Sequence, residues 1–388
     1  MTRAGIAVVM VIAAVGCRSE GKASASAKAD ASADAKADAV ARVRAGLDGA
    51  AVPGIGYAVV TRDRDVAVGG SGVGDLARRS GVGADTVFEA ASIAKLLVAV
   101  CVMQLVEDGT LDLDAEASKY VGFAIRHPRE ATPITLRMLL AHRASIRDRQ
   151  DEIAAPRTGN ALGAFLEHYM IDGAKPRAAA FLDAAPGTTT TYSNVGASLA
   201  ALAVERVAGE TFAEVSARRV LVPLRMHDTT WVAPARSSVS SARPYARNDA
   251  GFVALPSPSH ALYPAVDLHA SARDLARFAR AILRDGELDG ARILKASSVR
   301  AMTTAVDGDG DQALAWQLRT IGHAGARVAG HEGEDAGATT ALFLDVAAGT
   351  GAIVLANGDA FASGDHARAA AIQSLLADLL AAAGPAAR

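Results

Sequence analysis

The chain has 388 residues, of which 51% are apolar, 21% charged and 4% aromatic. Its formal net charge is −2, and no run of lysine and arginine is interleaved with aromatic residues. This excludes the basic surface that a nucleic-acid partner requires, while the length and apolar content predict one large buried core or two adjoining ones.

The first 17 residues are similar to a lipoprotein-type signal segment. Arg3 supplies a positive start, residues 4–15 are an unbroken apolar run, and small residues precede Cys17. The run is too short to span a bilayer stably. We therefore expect export and lipidation of Cys17, which would anchor the protein to the membrane of the cell envelope, facing the periplasm or the exterior. Simple cleavage and an uncleaved anchor are the alternatives.

Residues 18–39 consist almost only of alanine, serine, lysine, aspartate and glycine, without the large apolar residues that a core needs. This composition predicts a tether that holds a folded domain, residues 40–388, off the membrane surface. Cys101 is the other cysteine of the chain, so lipidation of Cys17 would leave no internal disulfide. Because Cys101 lies in an apolar stretch, we expect it to be a small buried hydrophobe.

Strand patterns occur near both ends of the domain. Ile55–Val60 and Val66–Val68 read as a hairpin, and apolar runs return at Ala338–Leu344 and Gly351–Ala356. Helical patterns dominate between them, from Ser92 to about Ser298.

One of these helices begins with the capping-box pattern of Ser271 and Asp274, and a last, alanine-rich helix starts near Asp365. This order predicts an α+β fold with one antiparallel sheet built from both chain ends, about 40–100 and 310–388, and flanked by helices. Residues 101–309 would form a large, mainly helical insertion, with a cleft between the two regions.

A buried helix is predicted from Phe88 through the apolar residues up to Val106. Ser92 and Lys95, three residues apart near its start, would lie on one face within reach of each other. A serine hydroxyl becomes a good nucleophile when a base takes its proton, and a lysine with a lowered pKa is such a base. The ordinary alternative is that Ser92 caps the helix and Lys95 extends into solvent.

Two further motifs follow. After a turn come Tyr192 and Asn194, a phenol that can relay protons and an amide that can bind a substrate; a loop tyrosine and a helix-capping asparagine are the ordinary alternative. Gly330-His331-Glu332-Gly333-Glu334 precedes the late strands, where an edge strand can offer a backbone N–H to an oxyanion.

Together these motifs resemble the serine β-lactamases and D-alanyl-D-alanine peptidases, especially the class C-like branch that includes esterases and D-aminopeptidases. The resemblance covers nearly all of the chain from Val40 to Asn357. It implies a β-lactamase/transpeptidase-like fold and hydrolysis of an ester or amide through a serine acyl-enzyme, without a cofactor. It assigns catalysis to Ser92, Lys95 and Tyr192, substrate binding to Asn194, His331, Gly333 and Glu334, and the oxyanion site to the N–H groups of Ser92 and Glu334.

The third motif departs from the family pattern. His331 stands where lysine is usual, Glu332 replaces a small or hydroxyl residue, and Glu334 and Asp335 follow. Three carboxylates would repel the carboxylate of penicillins and D-Ala-D-Ala peptides, and His331 would counter them only if protonated. The departure favours an esterase or a peptidase for another substrate over an efficient β-lactamase.

Two alternatives concern the same residues. A catalytically impaired, lipid-anchored binding or sensor protein would keep the pocket without turnover, but the intact Ser92, Lys95, Tyr192 and Asn194 favour the enzyme. His323 with His331 and the neighbouring carboxylates offers metal ligands, but lacks the spacing that places two of them on one helix face, so no metal is expected. The pattern leaves the oligomeric state open.

Overall fold

The computed structural model describes residues 37–157, 159, 162–234, 240–257, 259–307, 310–322 and 325–384. The predicted signal segment with Cys17, nearly all of the predicted tether, and His323 lie outside these ranges. Within them, no helix has both the length and the apolarity needed to cross a bilayer.

The described chain contains a series of strands and helices. The strands are β1 (Gly54–Thr61), β2 (Asp65–Asp75), β3 (Ser80–Gly81), β4 (Val87–Ala91), β5 (Ile171–Asp172), β6 (Lys175–Pro176), β7 (Tyr245–Asn248), β8 (Gly251–Ala254), β9 (Leu268–Ser271), β10 (Glu287–Leu288), β11 (Ala291–Arg292), β12 (Gln317–Ile321), β13 (Ala326–Asp335), β14 (Ala338–Asp345) and β15 (Thr350–Ala356). The helices are α1 (37–50), α2 (Ala94–Glu107), α3 (Ser118–Val121), α4 (Leu136–Leu140), α5 (Gln150–Ile153), α6 (Leu162–Met170), α7 (Asn194–Ala208), α8 (Phe212–Ser216), α9 (Tyr263–Val266), α10 (Ala272–Leu283), α11 (Ala296–Thr303) and α12 (His366–Ala382).

One seven-stranded antiparallel sheet has the order β12-β13-β14-β15-β1-β2-β3. The pairing of β1 with β15, in which Ile55 lies opposite Ala356, joins the two chain ends. The predicted hairpin and both late strands are confirmed. The sequence interpretation missed β12, a short strand of mostly half-exposed residues whose apolar alternation is too weak to identify it.

Helices cover both faces of the sheet. On one face α1 and α12 pack together, and Val43 and Leu379, both fully buried, share a core cluster with Val354 of β15. On the other face α10 contacts β1, β2 and β15 and buries Phe278 with the helices of the central region. The predicted α+β class is confirmed.

The helical start predicted at Phe88 is wrong. Residues Val87–Ala91 form β4, which pairs with β9, and the helix begins at Ala94. Every residue of β4 is buried, so the apolar run has no alternation that would distinguish a buried strand from a buried helix. The predicted boundary near residue 100 also lies inside α2.

Two smaller expectations concern single side chains. The hydroxyl of Ser271 caps α10 by accepting from the N–H of Asp274 at 3.2 Å. The Asp274 carboxylate does not close the predicted capping box, because it accepts from the N–H of Asp228 and the hydroxyl of Thr229. Cys101 is a fully buried free thiol, as predicted, and burial raises its pKa to about 12.

Candidate active site

A tight turn between β4 and α2 presents Ser92. Ala91 ends the strand with φ at +47°, a left-handed conformation that costs a non-glycine residue free energy and is concentrated at functional sites. Ala94 already belongs to the helix. The hydroxyl of Ser92, a residue only 7% exposed, therefore lies at the N-terminal end of α2, where the helix dipole favours negative charge.

The side chain of Lys95 is fully buried. Its Nζ lies 2.9 Å from the Oγ of Ser92, 2.8 Å from the Oδ1 of Asn194 and 2.8 Å from the carbonyl oxygen of Ala265. A neutral amine has two N–H donors and one lone pair. When Asn194 and Ala265 accept the two donors, the lone pair is left for the proton of Ser92.

Burial also decides the charge of this amine. None of the described carboxylates forms an ion pair with Lys95, and desolvation lowers its pKa to about 7. A substantial fraction of the side chain is therefore neutral near pH 7. The alternative in which Lys95 extends into solvent is wrong, since no part of the side chain reaches water.

Tyr192 contacts the same hydroxyl. Its phenol donates to the Oγ of Ser92 at 2.8 Å, and the Nζ of Lys95 lies 4.8 Å from the centre of its ring. Although 41% of the Tyr192 surface is open, the hydroxyl points inward, and its desolvation raises the pKa of the phenol. Tyr192 thus stays protonated and can deliver a proton.

Asp148 holds the turn between Tyr192 and α7, a role that the sequence interpretation did not assign. Its carboxylate accepts from the Oγ of Ser193 at 2.8 Å, from the N–H of Asn194 at 2.7 Å and from the N–H of Val195 at 3.2 Å. A carboxylate at a helix N-terminus satisfies N–H groups that have no partner within the helix. No sequence pattern relates Asp148 to a turn some 45 residues later, so only the fold reveals it.

His142, which follows the C-terminal end of α4, supports the same turn. Its Nδ1 accepts from the N–H of Ser193 at 3.1 Å, and its ring lies 4.6 Å from that of Tyr192. Burial and the nearby Lys95 lower its pKa to about 3, so the ring is neutral. The sequence analysis did not assign His142 to the site.

His331 lies on β13 and faces this group. Its ring is 1% exposed and lies 5.9 Å from the ring of Tyr192. The Nδ1 hydrogen-bonds to the carbonyl oxygen of Glu332, while Nε2 is buried without a partner among the described residues. Burial and the nearby Lys95 hold the pKa of His331 well below its ordinary value. A neutral imidazole cannot hold a substrate anion by charge.

Gly333 allows β13 to approach the serine turn. A Cβ at this position would lie 2.1 Å from the Oγ1 of Thr340, 2.7 Å from the carbonyl oxygen of Ala90 and 3.1 Å from the backbone nitrogen of Ser92. A side chain would therefore push the strand away from the nucleophile. The hydroxyl of Thr340 donates to the Ala90 carbonyl at 3.0 Å and ties β14 to the same turn.

The backbone of β13 offers an N–H beside Ser92. Pairing with β12 stops at Gly330, and the next N–H on that side, from Glu332, donates to the Oε1 of Gln317 at 3.3 Å. Because backbone direction alternates along a strand, the N–H of Glu334 points to the same side. No strand of the described chain pairs with it there. Ser92 and Glu334 both line the same cleft, and the oxyanion site expected at their N–H groups stays a prediction.

These groups surround one cleft of about 700 Å³ between the sheet and the helical region, as predicted. Glu332 and Glu334 form its acidic rim, and Arg147 contributes a positive charge to its lining. The Glu332 carboxylate pairs with the Nη1 of Arg319 at 2.5 Å, which partly compensates its charge. No three His, Cys, Asp or Glu side chains of the described part are arranged to bind a metal ion.

Comparisons with known proteins cover most of the chain. The family model described as Beta-lactamase matches residues 39–377. Penicillin-binding protein 4 of Amycolatopsis lactamdurans is 29% identical over 325 residues, which cover 79% of this chain and 81% of that protein.

Solved structures share the fold. D-alanine carboxypeptidase AmpC from Burkholderia cenocepacia aligns with a TM-score of 0.70 and 23% identity, covering 90% of this chain and 99% of that one. A class C beta-lactamase aligns with a TM-score of 0.71 and 18% identity, covering 90% and 96%. At these identities the likeness concerns the fold alone.

The buried amine predicts a pH dependence. Below pH 7 Lys95 is protonated and has no lone pair, so the acylation of Ser92 by the uncharged ester p-nitrophenyl acetate should rise through a midpoint near pH 7 and then level off. Stopped-flow burst rates between pH 5.5 and 8.5 measure this midpoint. Lys95→Arg, which stays charged, should show no such rise. A flat wild-type profile would contradict the role of the amine.

Proposed function

Because the chain belongs to the beta-lactamase family, we propose that it is a serine hydrolase that cleaves an ester or amide through an acyl-enzyme on Ser92. The observation that carries this proposal is the hydroxyl of Ser92, which lies 2.9 Å from the amine of Lys95 and 2.8 Å from the phenol of Tyr192. A base and a proton donor on one hydroxyl are what acyl transfer requires.

In the proposed acylation, the neutral amine of Lys95 takes the Oγ proton while Oγ attacks the carbonyl carbon. The carbonyl oxygen becomes an oxyanion that the N–H groups of Ser92 and Glu334 stabilise. As the tetrahedral intermediate collapses, the bond to the leaving group breaks and the Tyr192 phenol protonates that group. The proton on Lys95 restores the phenol. Water then attacks the acyl carbonyl carbon and gives up a proton to Lys95 and Tyr192. The bond from this carbon to the Oγ of Ser92 breaks, the proton passes to Oγ, and the acid is released.

The charges of the cleft support a preference for substrates without a carboxylate near β13. The carboxylate of Glu334 lies at the rim without an ion-pair partner among the described residues, and neutral His331 does not offset it. The pKa of Glu334 is raised, first by burial and then by Asp335 and Glu332. We therefore place esters and uncharged or cationic amides ahead of β-lactams.

A non-hydrolysing sensor protein is the second candidate. It would share the acylation step and differ only in releasing the acyl group slowly. The contacts of Lys95 and Tyr192 with Ser92 favour turnover, because the same two groups activate the hydrolytic water.

We also propose that the protein is exported and anchored at the cell envelope through Cys17. The sequence signal supports this location, and similarity to a penicillin-binding protein and to a carboxypeptidase fits it. Domain 40–388 would then carry the enzyme and residues 18–39 the tether. Residues 37–50 are helical and bury Ala39, so residues 37–39 belong to the folded domain and not to the proposed tether.

Ser92→Ala should lower p-nitrophenyl acetate hydrolysis by at least about 1000-fold, because it removes the nucleophile. It should also abolish the acyl adduct seen by intact-protein mass spectrometry, with circular dichroism unchanged. Ser374→Ala, at an exposed serine of α12, is the matched control and should behave as wild type. Retention of activity and adduct in Ser92→Ala would reject the proposal.

Glu332→Thr should increase kcat/KM for the anionic β-lactam nitrocefin by about 3- to 10-fold. The change removes one carboxylate from the rim and frees the Arg319 guanidinium to attract the substrate. Glu287→Thr, which removes a glutamate that pairs with Arg292 but is not part of the cleft lining, controls for the loss of a surface ion pair. Equal values for Glu332→Thr and wild type would show that this carboxylate does not limit the reaction.

Mass spectrometry of the membrane fraction of an expressing bacterium should find a diacylglyceryl adduct on Cys17. Cys17→Ser should move the protein to the soluble fraction without altering ester hydrolysis, because Cys17 lies outside the catalytic domain. A soluble, unmodified wild-type protein would contradict the anchor.

A further inference from the structure

We propose that Asp148 is a positioning residue for acylation: its carboxylate fixes the turn after Tyr192, and with it the Asn194 oxygen that accepts from Lys95. This inference rests on the proposed function and concerns a residue that never touches Ser92. Asp148 belongs to none of the three motifs of the site.

The geometry gives Asp148 three donors on one short segment. Its Oδ1 accepts from the Oγ of Ser193 and the N–H of Val195, and its Oδ2 accepts from the N–H of Asn194. These contacts involve both carboxylate oxygens, so they restrict rotation of the segment as well as its distance.

That segment, residues 193–195, contains one group of the site and directly follows another. Tyr192 immediately precedes it, and Asn194, its second residue, accepts from the Nζ of Lys95 at 2.8 Å. A displaced Asn194 would take one of the two acceptors away from the buried amine. The lone pair of Lys95 would then no longer be directed at Ser92, and small errors of this kind are costly in catalysis.

The charge of Asp148 affects the protonation of Lys95, in addition to the hydrogen bonds that its carboxylate accepts. Asp148 and Asp335 are the anions that favour the charged form of Lys95, against the larger effect of burial. The other titratable groups that face the amine, His142, His331 and Tyr192, are uncharged at neutral pH for the reasons given above. Asp148 also faces the phenol of Tyr169, whose pKa is raised to about 12 mainly by burial, so this phenol adds no charge.

The discriminating variant is Asp148→Asn, which keeps the size of the side chain but removes the charge and turns one acceptor into a donor. The second-order rate constant for acylation of Ser92 by p-nitrophenyl acetate should fall by roughly 10- to 100-fold. The midpoint of its pH profile should move to lower pH by about 0.5 unit, because the charged form of Lys95 loses a favourable anion. A simple loss of packing would not move this midpoint.

Asp151→Asn is the matched control, since Asp151 lies three residues further along the chain, is exposed and does not line the cleft; its carboxylate lies 3.6 Å from the guanidinium of Arg149. Its rate and midpoint should equal those of wild type. Ser193→Ala removes one donor to Asp148 together with the N-cap of α7, where the same hydroxyl accepts from the N–H of Gly196 at 2.9 Å, and it leaves the Asp148 charge in place. It should lower the rate by a few fold without moving the midpoint, and it tests the positional role even if Asp148→Asn does not fold.

The outcomes separate this inference from the proposed function. If wild type forms an adduct on Ser92 while Asp148→Asn reacts at the wild-type rate or with an unshifted midpoint, Asp148 does not have this role. A wild-type rate in Ser193→Ala would equally contradict it. If wild type forms no adduct on Ser92, the proposed function itself fails.

Discussion

The chemistry of this site depends on one buried amine. The side chain of Lys95 has no contact with water and lies within 2.9 Å of three oxygens, none of which carries a full charge. In water the amine would be protonated at neutral pH and useless as a base. Burial without an ion-paired carboxylate lowers its pKa to about 7, so that a substantial fraction is neutral, and the two acceptors at Asn194 and Ala265 direct its lone pair to Ser92.

Four separate parts of the chain must meet for this environment to exist. The continuous segment from the turn after β4 into α2 supplies the hydroxyl and the amine, the start of α7 supplies one acceptor, and α9 supplies the other, the carbonyl of Ala265. The sheet supplies the fourth part, β13, because Gly333 lets this strand lie against the backbone of Ser92. The antiparallel joining of β1 to β15 makes this possible, since it places β13, from the C-terminal half, beside the turn after β4.

The third motif departs from the expected family pattern in the charges of its residues. His331 is buried and neutral, Glu332 is paired with Arg319, and Glu334 stands at the rim. Ser92, Lys95 and Tyr192 can therefore be intact while the preferred substrate differs from the β-lactams and D-Ala-D-Ala peptides that the family pattern suggests. Whether Ser92 is activated and which carbonyl compounds bind beside it are therefore separate questions, because different residues decide them.

The amino-acid sequence by itself determined the strands at both chain ends and the helical region between them. Through the resemblance of its motifs to a family, it also predicted the site residues Ser92, Lys95, Tyr192, Asn194, His331, Gly333 and Glu334. Local periodicity and motif order encode these features. The tertiary structure decided that Val87–Ala91 is a strand, because a fully buried run has no alternation to read. It also decided the roles of Asp148 and His142 and the neutrality of Lys95 and His331. Hydrogen bonds between distant segments and the loss of water around a charge arise only when the chain is folded.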